Sequence, residues 1–380
     1  MLKRLDNIGI AVSDAAASVD FYVGKLGFEG QAEGGEGSVQ LGDISLYIFE
    51  SKSASRDVGR GADYYSNPVG LDHLAFEVDD IEAEMARLAA LGFQFLADEP
   101  RPGADGKQIV FLHPKSTGGV LVELCQSVEP TQISIPFKDG RLAAFVSGPE
   151  NAPPLVVLHA ALGSTELEMR RLTRLWEKDF RLYALDFMAH GKSDSFEGRK
   201  LTMESFVENV IALLDAVGIR KAHLFGFSMG GSVGLYAAFK HSERFGRLAI
   251  HAHNVQWIQS EADQMVGVMK AALAKPDSFW ARRLAETHGT ENWQDLVQRM
   301  ITFTEAQPIR HFDNDDLATI AHPTLVSTGD SDRFFPMRHS LALYSSLPTA
   351  SLAVLPGVDH PIQSVDTEVF ASMIATHLLA

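Results

Sequence analysis

The sequence predicts two folded units in one chain: a paired α+β module, then a larger α/β unit with a mostly parallel sheet and a helical cap. Three observations predict this. An internal repeat fills the first third of the chain. Downstream, apolar strands alternate with amphipathic helices. Between one such strand and helix sits a serine flanked by glycines. At 380 residues the chain is long enough to bury two cores.

Composition narrows the function classes. Hydrophobic residues make up 46% and charged residues 22%, as in ordinary globular proteins. No apolar run has the length that spans a membrane. The opening Met1-Leu2-Lys3-Arg4-Leu5-Asp6 lacks the apolar core of a signal peptide. The single cysteine, Cys125, excludes an internal disulfide and fits a reducing compartment, so a cytoplasmic protein is expected. Cys125 lies in Val122-Glu123-Leu124-Cys125 and reads as a buried strand thiol. A net charge of −16 argues against nucleic-acid or anionic-membrane partners. The expected partner is a small-molecule substrate, and a local basic pocket is compatible with the negative total.

The first unit begins with the repeat. Leu5-Asp6-Asn7-Ile8-Gly9-Ile10-Ala11-Val12 and Leu71-Asp72-His73-Leu74-Ala75-Phe76-Glu77-Val78 alternate apolar and other residues, the pattern of a strand. Each leads into an amphipathic helix, the second carrying Met85, Leu88 and Leu91 at helical spacing, and then into Leu26-Gly27-Phe28 or Leu91-Gly92-Phe93. The repeat is about 65 residues long. Strands are predicted at 38–41 and 44–49 in the first copy, and at 93–96, 108–112 and 120–124 in the second. The order β-α-β-β-β thus occurs twice. The polar stretch 51–70 reads as the connection between copies.

Residues 1–126 resemble the vicinal-oxygen-chelate superfamily, which includes glyoxalase I and methylmalonyl-CoA epimerase. The residues that carry the resemblance are Gly70-Leu71-Asp72-His73, Val78-Asp79-Asp80-Ile81 and Phe111-Leu112-His113-Pro114-Lys115-Ser116-Thr117-Gly118-Gly119 with the strand after it. The resemblance implies four strand residues around a divalent metal. His73 and Glu123 match the second pair of ligands. Asn7 stands where the first is usually His, and Tyr47 where the second is usually Gln or Glu. Catalytic metal sites want three or four protein donors. We therefore read the site as decayed and the module as one kept for binding or packing, with a metal-dependent epimerase or lyase as the alternative. Modules of this superfamily often pair, which implies a homodimer.

A short link, 127–131, precedes the second unit at 132–380. Ile133-Ser134-Ile135-Pro136-Phe137, Asp139-Gly140 and Leu142-Ala143-Ala144-Phe145-Val146 read as a hairpin. Strands follow at 155–158, 181–185, 222–226 and 247–251, with helices at 166–178, 202–217 and 231–239 between them. Strand alternating with helix implies a parallel sheet covered on both faces. Segments 258–274, 277–286 and 291–305 are helical and carry Met and Trp, including Trp257, Met265, Met269, Trp280, Trp293 and Met300. They read as a cap spanning about 254–318, mostly ordinary packing with a few residues lining a pocket. In Gly226-Phe227-Ser228-Met229-Gly230 the glycines let the backbone double back and expose the serine at the turn, and the following helix start favours negative charge there.

This unit resembles the α/β-hydrolase superfamily. The landmarks are His159-Ala160-Ala161-Leu162-Gly163-Ser164, Asp186-Phe187-Met188-Ala189-His190-Gly191-Lys192-Ser193-Asp194, the turn at Ser228, Thr324-Leu325-Val326-Ser327-Thr328-Gly329-Asp330-Ser331-Asp332, and Leu355-Pro356-Gly357-Val358-Asp359-His360. The resemblance implies Ser228 as nucleophile, His360 as base and Asp332 as its orienter. It implies an oxyanion hole from the backbone N–H groups of Met229 and of Ala160 or Ala161. Asp330 competes with Asp332, and Asp359 adjoins His360 but diverges from it. Ala160 replaces a usual glycine and Met188 a common arginine. His159 and His190 read as loop landmarks. His251 and His253 read as core or rim residues, with a substrate contact or metal pair as the alternative.

The expected function is a serine hydrolase that opens an ester, thioester or lactone of a small metabolite through an acyl-enzyme, with no cofactor in the hydrolase unit. A C–C bond hydrolase of the same fold is one alternative. A non-catalytic ligand-binding protein, motivated by the weakened metal site and Ala160, is the other.

Overall fold

The structure is a computed structural model that describes residues 2–12, 14–26, 29–33, 36–41, 44–50, 70–103, 107–117, 120–127, 129–253, 258–306, 312 and 314–380. The chain divides into two compact units, Met1–Glu129 and Pro130–Ala380. The expected connection between the two repeat copies lies outside the described residues, apart from Gly70, and so does Trp257.

The first unit runs β1 (Leu2–Val12), α1 (Ala15–Leu26), β2 (Glu29–Glu33), β3 (Glu36–Leu41), β4 (Ile44–Glu50), β5 (Gly70–Val78), α2 (Ile81–Ala90), β6 (Arg101–Pro102), β7 (Lys107–Leu112) and β8 (Val122–Ser127). The strands form one sheet in the order β2-β3-β4-β1-β5-β8-β7-β6. Each copy is wired alike: β1 pairs parallel with β4, and β5 parallel with β8. The copies meet where β1 and β5 run antiparallel.

Each helix covers its own half. Ala15 and Val19 of α1 bury against Val39, Leu46 and Ile48, one helical turn apart as an amphipathic face requires. Ile81 and Leu88 of α2 do the same against Val78, Val110, Leu112 and Leu124. Asp80 caps α2 by accepting the Ala83 N–H at 2.9 Å.

Two expectations need correction here. Residues 93–96 form no strand. Phe95 makes a single bridge to Leu112, and the third-strand place is taken by the two-residue β6. Pro100, just before β6, and Pro102, within it, have no N–H to give a ladder. Leu91 is 64% exposed, because α2 ends at Ala90 and Leu91 falls in the turn.

The second unit runs β9 (Thr131–Phe137), β10 (Gly140–Ser147), β11 (Pro154–Leu158), α3 (Arg170–Trp176), β12 (Arg181–Leu185), α4 (Met203–Ala216), β13 (Ala222–Phe227), α5 (Met229–Lys240), β14 (Phe245–His251), α6 (Gln259–Ala274), α7 (Phe279–His288), α8 (Trp293–Glu305), α9 (Asn314–Ala318), β15 (Thr324–Gly329), α10 (Arg338–Ser346), β16 (Ala350–Leu355) and α11 (Thr367–Leu379). A π-helical turn, Thr165–Met169, leads into α3. Eight strands form a second sheet, β16-β15-β14-β13-β11-β12-β10-β9. The six from β16 to β12 are parallel, and β10 and β9 add antiparallel at one edge.

Both faces of this sheet are buried, so its strands read as continuous apolar runs. Leu155 and Val157 of β11 face the core shared with α3 and α11. Val156 and Leu158 face the core shared with α4 and α5, as the two-residue side-chain period demands. Val266 and Met269 of α6, Leu284 of α7, and Val297 and Met300 of α8 join that second core. Trp293 is buried, whereas Trp280 is 38% exposed. Among the described residues no helix is long and apolar enough to cross a membrane.

Trp176 fastens α3 to α11. It is 1% exposed, its Nε1–H donates to the Ala371 carbonyl at 2.9 Å, and its ring meets Phe225 edge-on. Trp176→Ala is expected to destabilise the second unit by about 3–5 kcal/mol, read as a lower urea midpoint. An unchanged midpoint would show that this packing contributes little.

Candidate active site

The site is built on the shortest connection in the second sheet. β13 ends at Phe227 and α5 begins at Met229, so Ser228 alone makes the turn. The sequence places this helix at 231–239; it begins earlier, one residue after the serine. Ser228 has φ 53° and ψ −117°, a strained conformation for a residue with a Cβ. The glycines permit the approach that forces it. A Cβ on Gly226 would lie 2.4 Å from the Gly230 carbonyl oxygen, and one on Gly230 would lie 2.5 Å from that of Leu158. The Ser228 N–H donates to the His251 carbonyl at 2.9 Å, and the Ser228 carbonyl accepts from Gly231 and Ser232.

Two loops at the same edge of the sheet bring the partners. Asp332 follows β15 and His360 follows β16. His360 Nδ1 lies 2.8 Å from Asp332 Oδ2, and His360 Nε2 lies 3.1 Å from Ser228 Oγ. The carboxylate fixes the proton on Nδ1, which leaves Nε2 to accept from the serine hydroxyl. Asp332 Oδ1 accepts the N–H groups of Phe334 and Phe335 at 2.9 and 2.8 Å, so the carboxylate cannot rotate freely. The rings of Phe227, Phe334 and Phe335 surround the imidazole at 5.0–5.4 Å between centroids. Ser228, Asp332 and His360 are all less than a tenth exposed.

The other two aspartates serve the loops. Asp330 Oδ1 accepts from Ser331 Oγ and from the Gly357 N–H. Asp359 accepts from Arg333 Nε at 2.9 Å and from the His360 N–H at 2.8 Å. The Arg333 guanidinium holds the Asp359 carboxyl down to about 2. Sequence reasoning missed this latch. Its signal was available: opposite charges directly adjoin Asp332 and His360.

In the loop after β11 one of the two expected donor N–H groups is already bonded. The Ala160 N–H donates to Glu168 Oε2 at 2.8 Å, so it is already engaged. The Ala160 carbonyl accepts from His159 Nδ1 at 2.7 Å and from the Gly163 N–H at 3.1 Å. His159 Nε2 accepts the Phe187 N–H at 3.1 Å, which fixes the tautomer with the proton on Nδ1. Among the described residues no peptide bond is cis. In a planar trans peptide the next N–H points opposite to the carbonyl, so pinning the Ala160 carbonyl aims the Ala161 N–H. The sequence left Ala160 and Ala161 open as donors; the structure engages Ala160 and leaves Ala161. The Met229 N–H lies in the first turn of α5, where no intrahelical acceptor exists. Burial raises the Glu168 carboxyl to about 8, opposed by its bond to the Ala160 N–H.

The remaining buried histidines hold the frame. His190 Nδ1 donates to the Met188 carbonyl. His288 of α7 accepts the Gly191 N–H and donates to the Leu162 carbonyl. Burial lowers His288 to about 4 and His159 to about 3. His251 Nδ1 meets Ser327 Oγ at 3.0 Å and His253 Nδ1 meets Ser232 Oγ at 2.9 Å. Each is paired with a serine rather than with the other.

In the first unit His73 and Glu123 do approach, with His73 Nε2 3.7 Å from Glu123 Oε2. His73 Nδ1 is bound to Asp72 Oδ2 at 2.9 Å, and its ring lies over Gly9, where a Cβ would meet it at 2.4 Å. Asn7 Nδ2 donates to Asp6 Oδ2 at 2.9 Å. Asp6 also takes Lys107 Nζ at 2.6 and 2.7 Å. Burial opposes ionisation of Asp6, but the bonds from Lys107 and Asn7 outweigh it and lower its pKa. Burial raises Glu123, with Lys107 among the cations that oppose the shift. Among the described residues no three His, Cys, Asp or Glu side chains converge as metal ligands. The donor set therefore does not fit a catalytic divalent ion, and a lysine ammonium contributes positive charge to this interior. Cys125 is fully buried and burial pushes its thiol up.

Comparison with known proteins assigns both halves. A family model described as "alpha/beta hydrolase fold" matches residues 153–305. One described as "Glyoxalase/Bleomycin resistance protein/Dioxygenase superfamily" matches residues 4–124. The chain is 36% identical over 133 residues to the ethylmalonyl-CoA/methylmalonyl-CoA epimerase of Cereibacter sphaeroides, covering 33% of this chain and 99% of the epimerase. It is 28% identical over 221 residues to 3-oxoadipate enol-lactonase 1 of Acinetobacter baylyi, covering 53% of this chain and 79% of the lactonase. The solved 2-hydroxy-6-oxo-6-phenylhexa-2,4-dienoate hydrolase of Rhodococcus sp. superposes with a TM-score of 0.57 at 22% identity, over 67% of this chain and 100% of that one; this likeness shows the fold. The chain thus belongs to the glyoxalase superfamily through its first domain and continues, in the same polypeptide, into a domain of the alpha/beta hydrolase fold.

Proposed function

We propose that the second domain is a serine hydrolase that opens an ester, thioester or lactone of a small metabolite through an acyl-enzyme. The observation that carries this reading is the continuous chain Asp332–His360–Ser228, at 2.8 and 3.1 Å. Ser228 Oγ attacks the acyl carbon while His360 Nε2 takes its proton. The tetrahedral oxyanion lies against the N–H groups of Met229 and Ala161. Such donors are worth about 2.7–4 kcal/mol each in the transition state. His360 then returns the proton to the leaving oxygen or sulfur, and the carbon–heteroatom bond breaks. Water, deprotonated by the same imidazole, cleaves the acyl-serine and restores Ser228. Asp332 keeps the imidazole in the required tautomer and stabilises its protonated form. The lactonase relative supports a lactone or related ester as substrate.

For the first domain the proposed role is ligand binding or packing without a catalytic metal. The epimerase relative, named for acyl-CoA substrates, supports a ligand of that class.

Ser228→Ala is expected to abolish fluorophosphonate labelling and to lower kcat for p-nitrophenyl acetate about 10⁴-fold or more, with His360→Ala similar. Labelling that persists in Ser228→Ala would remove the nucleophile from the account.

The pH dependence of stability tests the oxyanion loop. The native Glu168 carboxyl holds its proton to about pH 8, whereas its ordinary value is 4.5. Between these values the native state binds more protons than the unfolded chain, so this contribution to stability falls as pH rises. It is complete below pH 4.5 and lost above pH 8. Glu168→Gln keeps an acceptor for the Ala160 N–H but cannot ionise. Its stability in urea should vary less across that window than the wild type's. Equal slopes would contradict a protonated Glu168.

Purified protein is expected to carry substoichiometric divalent metal by mass spectrometry. A stoichiometric ion that disappears in His73→Ala would overturn the non-metal role of the first domain.

A further inference from the structure

The end of the second sheet where its parallel strands begin, opposite the end that bears Ser228, carries a cleft of about 540 Å³. Its walls come from the starts of three adjacent parallel strands and the segments just before them. Lys221 and His223 flank the beginning of β13, Arg247 lies near the start of β14, and His322 precedes β15. Ser242 and Thr319 add two hydroxyls. No carboxylate lines the cleft among the described residues. Neither Lys221 nor Arg247 has an ion-pair partner among them. In a chain of net charge −16, a concave surface holding two unanswered cations needs a reason.

The imidazoles are arranged to serve the same ligand. His223 Nδ1 accepts the Arg247 N–H at 3.1 Å, so its proton sits on Nε2, which is left as a donor. His322 Nδ1 donates to the Gly246 carbonyl at 2.9 Å, which leaves its Nε2 to gain a proton. Burial lowers both imidazoles, and Lys221 lowers each further; Arg247 adds to the effect at His223. His377, behind Pro323, is lowered by burial and by Arg247. No acidic group offsets these shifts.

We infer that this cleft binds a phosphate-type oxyanion at a position separate from the catalytic serine. Two cations match a dianion, and a guanidinium can grip two of its oxygens. The imidazole and hydroxyl donors suit the remaining oxygens. Four residues of β13 separate His223 from Ser228, five steps along the chain or roughly 17 Å at the rise of a strand. The cleft exceeds a bare phosphate and falls in the range of small-molecule sites, about 300–1,000 Å³, which favours a phosphate ester over the free ion. This inference does not depend on the hydrolase mechanism.

Isothermal titration of the full chain at constant ionic strength tests it, with inorganic phosphate and adenosine 5′-monophosphate as the two probes. Saturable binding of one ion or ester per chain is expected, weakened about tenfold or more in Lys221→Ala and in Arg247→Ala. Tighter binding of the nucleotide identifies an ester ligand; equal binding identifies the phosphate group alone. Lys221 is exposed, so its substitution should spare the fold even if that of Arg247 does not. Arg247→Lys should recover part of the affinity. Absence of saturable binding by either probe, or unchanged affinity in Lys221→Ala, would overturn the inference.

Discussion

Two backbone segments approach so closely at Gly230 that no side chain fits between them, and the active-site geometry follows from that contact. The start of α5 rests on the end of β11, with the Leu158 and His159 carbonyl oxygens at 2.5 and 2.7 Å from where a Cβ would be. To reach this position within one residue of β13, the chain must turn at Ser228 through a positive φ. Such backbone strain costs on the order of 1–3 kcal/mol. It is held by the Ser228 N–H bond to His251 and by the helix that begins immediately after. The same turn presents the hydroxyl to His360 and leaves the Met229 N–H beside it without an intrahelical acceptor.

Around that fixed point the partners are positioned by bonds of two strengths. The Asp332 carboxylate is gripped by two backbone N–H groups in a buried setting, so it is a rigid reference for the imidazole. The Arg333–Asp359 pair lies at the surface, with the Arg333 side chain 81% exposed. A pair of this kind contributes little to overall stability. Its effect is local: it joins the loop that bears Asp332 to the loop that bears His360. The loop after β11 depends instead on peptide planarity, with His159 and Gly163 holding the Ala160 carbonyl so that the direction of the following N–H is set.

Local patterns carried much of this into the sequence. The doubled β-α-β-β-β order was legible because alternation and helical spacing repeat in both copies. The turn at Ser228 was legible because its glycines lie at fixed offsets. What sequence could not reveal depends on contacts between distant residues. Whether Ala160 or Ala161 offers its N–H is decided by Glu168, whose carboxyl reaches back across a π-helical turn. Segment 93–96 alternates like a strand, but the prolines beyond it leave only a short edge for pairing. The basic cleft was invisible for the same reason: Lys221, Arg247 and His322 meet only through the register of β13, β14 and β15.

The first domain combines regular paired wiring with a charged interior. Its sheet keeps the paired wiring while Asn7, Lys107 and Asp6 fill part of the interior with a hydrogen-bonded ion pair. In the second domain the central claim is that the alcohol held by His360 becomes covalently acylated. Acid-quenched mass spectrometry during turnover of p-nitrophenyl acetate tests this most directly. The account predicts at most one acetyl group per chain, carried on the peptide that contains Ser228. An acetyl group on another side chain, or full turnover by a chain lacking the Ser228 hydroxyl, would contradict it.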